Sequence, residues 1–285
     1  MSAVLNPTES CTGPSRRFYD STDENRWGRT SIPEVERAVE QWLSLGGVAE
    51  GSVVVELGCG RGAFTYLSER FRYFGIDLSF EALSRYVGAP AAVQADVGRL
   101  PLASECADFV FSIATLEHVP NPENVLAEVD RVLRPGGSAL LSPAWFCRPW
   151  AARGLPIKTY SELEWRDKVR KALIPLRNSL IWRSAFAIPR RLRRELCHWL
   201  APAEWRFQYH QLSPNLEEYI YTDCDAFCSL DPHEAVMLFR HWRYQVPSAP
   251  GFWRRVLLRN VPVAVRKPSA LKPGLTGESL SRKPK

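Results

Sequence analysis

No stretch of this 285-residue chain reaches the ~20 consecutive apolar residues of a spanning helix, so none is expected. The first 18 residues hold no apolar core segment, which argues against a secretory signal. Cysteines number seven, an odd count at irregular spacing. That excludes a disulfide framework and makes the reducing cytoplasm the expected setting. No internal repeat is visible, so a solenoid is excluded. What is present is ordinary in amount: 45% hydrophobic and 24% charged residues, which excludes a disordered or collagen-like chain.

The net charge of +6 is unevenly distributed. Residues 1–52 carry five basic and eight acidic side chains, residues 53–137 seven and eleven, and residues 146–285 twenty-five and twelve. Eight of the ten Trp lie from Trp145 onward, so a mildly acidic first half precedes a basic, Trp-rich second half.

In the first half, short apolar runs alternate with helical patterns. Strands are expected over 52–57, 73–77, 92–96, 107–112 and 138–142, and helices from Pro33, over 63–71, 79–86 and 122–133. Residues 1–30 read as a polar tail. Strand and helix in alternation, with short links, predict an α/β doubly wound, Rossmann-like, mostly parallel sheet.

Glu56-Leu-Gly58-Cys-Gly60-Arg-Gly62 lies between the first strand and the next helix. Glycines allow a sharp turn and close approach of a ligand to bare backbone. The spacing also satisfies the dinucleotide pattern G-x-G-x-x-G/A. Asp77 ends the second strand, where a carboxylate accepts ribose hydroxyls, and Asp96-Val97 ends the third, where an adenine can lie. Glu56 discriminates between ligands. A diphosphate has no use for an acid two residues before the first glycine. S-adenosylmethionine carries an ammonium and a sulfonium, which that acid favours.

With these residues the chain resembles the class I S-adenosylmethionine-dependent methyltransferases of the type 11 subgroup. The resemblance rests on the segment from Val53 to Gly62, then Phe74-Gly-Ile-Asp-Leu-Ser79, Ala95-Asp96, Ala107-Asp108-Phe109-Val110, Leu116-Glu117-His118-Val119 and Arg131-Val-Leu-Arg-Pro-Gly-Gly137, in that order. It implies a seven-stranded sheet with S-adenosylmethionine as cofactor. By the same resemblance Glu56, Gly58 and Gly60 face the methionyl part, Asp77 and Leu78 the ribose, Asp96 and Val97 the adenine, and Ala114 the methionyl end.

Methyl transfer to a hydroxyl calls for a base near the acceptor proton. His118, with Glu117 beside it, follows the fourth strand at the carboxyl edge where open α/β sheets bind ligands. The alternative is that both pack the loop. The segment is also similar to ubiquinone-biosynthesis O-methyltransferases, whose metal ligands follow E-x-x-E-H. Ala114 stands at the first of these positions, so no metal is expected.

The second half reads as a helix-rich insertion after strand five, expected over 146–250 as an acceptor-binding cap on a core spanning 31–145. Helices are expected over 160–173 and 179–200, interrupted at Pro175 and Pro189, a strand over 206–212, and a helix from Pro232 capped by Asp231. Residues 251–267 should supply the final strand and 268–285 a basic tail. The segment from Thr222 to Pro232 resembles methyltransferases of bacterial surface-polysaccharide pathways, and Asp223 and Asp225 read as sugar ligands, an acid/base pair or turn residues. The helix 188–200 is basic on one side and apolar on the other. It reads as a core-packing helix with a solvated basic face, a membrane-surface helix, or an RNA-binding face. The expected function is methylation, at oxygen, of a small-molecule or glycan acceptor by a cytoplasmic enzyme, with peripheral contact at the inner face of a membrane. RNA-directed methylation and a non-catalytic binding module are the alternatives.

Overall fold

The computed structural model describes residues 12–21, 33–86 and 91–269. Most of the expected polar tail, residues 22–32 and 87–90, and the basic tail from residue 270 lie outside them.

The central sheet has six strands: β1 (Val53–Leu57), β2 (Arg72–Asp77), β3 (Ala91–Gln94), β4 (Ala107–Ile113), β5 (Leu133–Ser142) and β8 (Val263–Arg266). Their order is β3-β2-β1-β4-β5-β8, parallel except for β8, which runs antiparallel to β5. Strand order reverses between β1 and β4, and the crevice beyond their carboxyl ends is where such sheets bind ligands.

Both faces are buried, which is why the strands read as near-continuous apolar runs. Alternate residues go to opposite sides. Val55, Leu57, Ile76, Val110 and Leu141 pack with helix α4 (Pro122–Val132) and with α8 (Pro232–His241) from the second half. Val54, Tyr73, Phe109, Phe111 and Leu140 pack against Val39 and Leu43 of α2 (Pro33–Leu45) and against Phe64 and Leu67. The second half therefore contributes to the same core as the sheet.

Seven strands were expected and six are found among the described residues. Beyond β8 only one bridge forms, between Gln245 and Arg266. Pro247 lacks the N–H needed to continue the ladder, and the Ser248 hydroxyl bonds the Ala264 backbone instead, at 3.0 and 3.2 Å.

The helix expected over 63–71 is a short 3-10 turn, Thr65–Glu69. The Thr65 and Ser68 hydroxyls bond carbonyls three residues back and compete with a helical ladder. Residues 160–162 form a further 3-10 turn before α5 (Trp165–Ala172), and α6 (Ile174–Asn178) carries Pro175 in its first turn. Helix α7 (Leu180–Leu200) runs unbroken through Pro189, against expectation. The strand over 206–212 shrinks to β6 (His210–Gln211), paired with β7 (Cys228–Ser229). Asp231 caps α8 as read, accepting from the His233 N–H at 2.9 Å. Helix α9 (Phe252–Val256) precedes β8. Helix α1 (Thr12–Ser21) stands inside the expected polar tail, with Ser15 and Phe18 buried.

Candidate active site

At the carboxyl end of β1 the chain turns through Gly58 at φ +77°. A Cβ there would lie 2.0 Å from Thr115 Oγ1, so only glycine fits between β1 and the loop after β4. Gly60, at φ +52°, faces open space, and its bare backbone borders a cavity of about 470 Å³.

All eight expected cofactor residues, Glu56, Gly58, Gly60, Asp77, Leu78, Asp96, Val97 and Ala114, line that cavity, and so does His118. Glu117 does not line it. Its side chain is fully buried beneath the loop, accepting at Oε1 from the Ala144 N–H at 2.9 Å, and Oε2 has no hydrogen bond.

Asp77 holds the wall by accepting from the N–H groups of Gly60 (2.8 Å) and Ser79 (2.9 Å). Burial raises its pKa, and these donors oppose the rise. Each carboxylate oxygen retains a lone pair for a ribose hydroxyl. Asp96 accepts from the Gly98 N–H at 2.7 Å. Glu56 is buried and accepts from the Tyr73 hydroxyl. Burial pushes its carboxyl up to about 8, with Asp77 adding to the rise and Tyr73 offsetting part of it. A raised carboxyl in a cavity wall is the group a ligand ammonium would ionise. Ala114, a non-glycine at φ +47°, lines the same cavity after β4. This donor set fits S-adenosylmethionine: an acid for the cationic end, a carboxylate for the ribose, and Val97 as an apolar wall.

His118 sits among carboxylates from two parts of the chain, its neighbour Glu117 and the loop that carries Asp223 and Asp225. Its Nδ1 lies 3.1 Å from Asp225 Oδ2, and its Nε2 3.7 Å from Glu117 Oε1. The Tyr19 hydroxyl donates to Asp225 Oδ2 at 2.8 Å. Burial lowers the imidazole pKa, but Asp225, Glu117 and Asp223 outweigh it and push it up to about 9. Burial also raises Asp225, and the imidazole and Tyr19 hold it below the ordinary carboxylate range. Glu117, His118 and Asp223 bring ligating atoms within 4.8 Å of one another. Asp223 thus supplies, from a distant loop, a third donor where the local motif has Ala114.

Several lining residues fall outside the motifs. Ser15 and Tyr19 of α1 cover the cavity, with Tyr219 and Thr222 on another side. Asp20 ties α1 to the start of α3 (Phe80–Ser84) by accepting from the Ser79 hydroxyl at 2.8 Å. The signal for α1 was a proline at its first turn, Pro14, followed by Ser15 and Phe18 at helical spacing. Nothing local signals that Asp225 reaches His118.

Residues 55–141 match the family described as "Methyltransferase domain". Among curated relatives, an uncharacterized methyltransferase of Mycobacteroides abscessus is 28% identical over 155 residues, 50% of this chain and 60% of that protein. A fatty-acid O-methyltransferase of Mycolicibacterium smegmatis is 35% identical over 104 residues, 33% of this chain and 38% of that one. A phosphatidylethanolamine N-methyltransferase of Cereibacter sphaeroides is 32% identical over 152 residues, 50% of this chain and 68% of that one. Of the first two, the chain spans less than two thirds of their length.

Proposed function

This chain belongs to the class I S-adenosylmethionine-dependent methyltransferases, and from that membership we propose that it transfers a methyl group to an oxygen of a small-molecule or sugar acceptor. The observation that carries the proposal is the convergence of Glu56, Gly58, Gly60, Asp77 and Asp96 on one cavity at the sheet's switch point. Oxygen as the target is supported by the fatty-acid O-methyltransferase relative. In this reading residues 31–145 hold the cofactor and residues 146–250 cap the acceptor side.

When bound, S-adenosylmethionine supplies a methyl carbon activated by its sulfonium. The residues bind, orient and move a proton. Glu56 meets the positive end, Asp77 the ribose, and Asp96 with Val97 the adenine. Tyr19 and α1 exclude water from the cavity. In its neutral form His118 takes the acceptor's proton at Nε2, while Asp225, at Nδ1, holds the ring's tautomer and orientation; with the ring titrating at about 9, that form grows, and with it the rate, as pH rises towards 9. This reading calls on no metal. The proposed setting is the cytoplasm, with the basic second half turned to the inner face of a membrane.

Calorimetric titration with S-adenosylhomocysteine tests the cofactor site. Asp77→Ala removes charge-assisted hydrogen bonds and is expected to weaken binding by about 100-fold or more. Absence of binding by the wild type, or an unchanged affinity in the variant, refutes the proposal.

A further inference from the structure

Helix α7 is amphipathic in the opposite sense to a core helix. As a core-packing helix it would turn its basic side to solvent, yet Arg191 (3% exposed) and Glu195 (9%) point inward. Arg191 grips Asp231 at 2.7 and 3.2 Å and donates to the carbonyls of Val256 and Leu258. Glu195 accepts from Arg240 and Arg255. The outward face is apolar. Ile181, Ala185, Pro189, Leu192, Leu196 and Trp199 follow one another at steps of three or four residues, a single helical stripe, and all are exposed. Ile181 is 84% exposed and Trp199 77%.

The stripe is part of a wider surface. Of 22 large apolar side chains exposed among the described residues, 14 lie within residues 157–200. Trp165, Val169, Leu173 and Leu176 extend it along α5 and α6. So many exposed large apolar side chains concentrated in one segment mark an interaction site.

Charge selects the occupant. Residues 157–200 carry eleven basic and four acidic side chains, and Arg166, Lys168, Arg177 and Arg193 are exposed beside the apolar residues. A second copy docked through the same face would bring positive charge against positive charge. An anionic bilayer accepts both features: apolar side chains in the acyl boundary, arginines at the phosphates, and tryptophans at headgroup level. No helix among the described residues is long and apolar enough to cross a membrane, so the geometry is that of a helix lying on the surface.

We propose that the outward face of α5, α6 and α7 seats the protein on an anionic lipid bilayer. The inference rests on the peripheral setting proposed with the function and does not require methyl transfer. It is tested by co-sedimentation of the full chain with vesicles of phosphatidylcholine alone or mixed with phosphatidylglycerol. Binding is expected on the mixed vesicles, far less on the neutral ones, and falling with salt. Ile181→Asp with Trp199→Asp should cut partitioning by about tenfold or more. Lys168→Gln with Arg193→Gln removes about fivefold per cation, so about 25-fold together. None of these residues lines the cavity, so S-adenosylhomocysteine affinity should stay at the wild-type value in both variants, which also reports their folding. Equal binding to both vesicle types, no binding to either, or insensitivity to both variant pairs overturns the proposal. So does self-association or RNA binding through these residues without vesicle binding. Vesicle binding by a wild type that does not take S-adenosylhomocysteine overturns the cofactor reading alone.

Discussion

If Asp225 acts on His118 as their 3.1 Å approach suggests, Asp225→Asn will change the imidazole's titration. The wild-type ring is pushed from 6.5 to about 9, so the folded state favours imidazolium by about 3 kcal/mol, at about 1.4 kcal/mol per pH unit. Burial acts downward, and Asp225 is foremost among the groups acting upward, by charge and by hydrogen bond. The amide removes the charge and leaves burial less opposed. The ring of the variant should then titrate about two pH units lower, near 7. The assay is a pH titration of the imidazole Cε1–H signals by heteronuclear NMR. Five histidines give a countable spectrum, and the His118 signal is the one absent from His118→Gln. Stability should follow the same linkage. Because the folded pKa is raised, the ion pair's contribution is fully present below pH 6.5 and is lost as pH rises through about 9. Urea unfolding should therefore separate wild type from Asp225→Asn by about 3 kcal/mol at pH 6 and by much less at pH 10. A wild-type His118 titrating near 6.5, or one that Asp225→Asn leaves in place, refutes the pairing and with it the positioning role of Asp225.

Glu56, pushed up to about 8 by burial, is mostly protonated at pH 7, so a cationic ligand should release a proton from it. Calorimetry of S-adenosylhomocysteine, which keeps the ammonium, in buffers of different ionisation enthalpy should show that release and an affinity rising about tenfold from pH 7 to 9. Glu56→Gln should abolish both, and a release that persists refutes the assignment. Asp231 meets Arg190, Arg191 and Arg194 and also caps α8. Asp231→Ala should cost about 3–5 kcal/mol in urea unfolding, because it leaves buried cations uncompensated. Asp231→Asn should regain about 1 kcal/mol through the cap, and a loss below about 1 kcal/mol in the alanine variant would refute the network's role.

The cofactor half was legible because its signals are local. A run such as Val53–Leu57 must be buried on both sides, and Gly58 must be glycine to clear Thr115. Boundaries shifted where hydroxyls compete with the helical ladder, as at Thr65 and Ser68, and the seventh strand was lost where Pro247 removes a donor. Helix α1 reads as part of a polar tail because the segment around it is rich in Ser, Thr and Pro. Its role depends on Tyr19 and Asp20 meeting residues about 200 and 60 positions away, respectively.

The sequence by itself determined the alternating α/β order, the glycine turn, and the identity of Glu56, Asp77 and Asp96 as wall residues, since each depends on neighbours within a few positions. Only the tertiary structure decided what His118 faces and which side of α7 meets solvent. The first depends on the loop that carries Asp223 and Asp225, more than 100 residues away in sequence, reaching the His118 ring beside Glu117. The second turns on Asp231, Arg240 and Arg255 being placed to accept the helix's charged side. A helical pattern specifies two faces but not which is inward. With buried partners in position, Arg191 and Glu195 are neutralised inside, and the leucines and tryptophans are left outside.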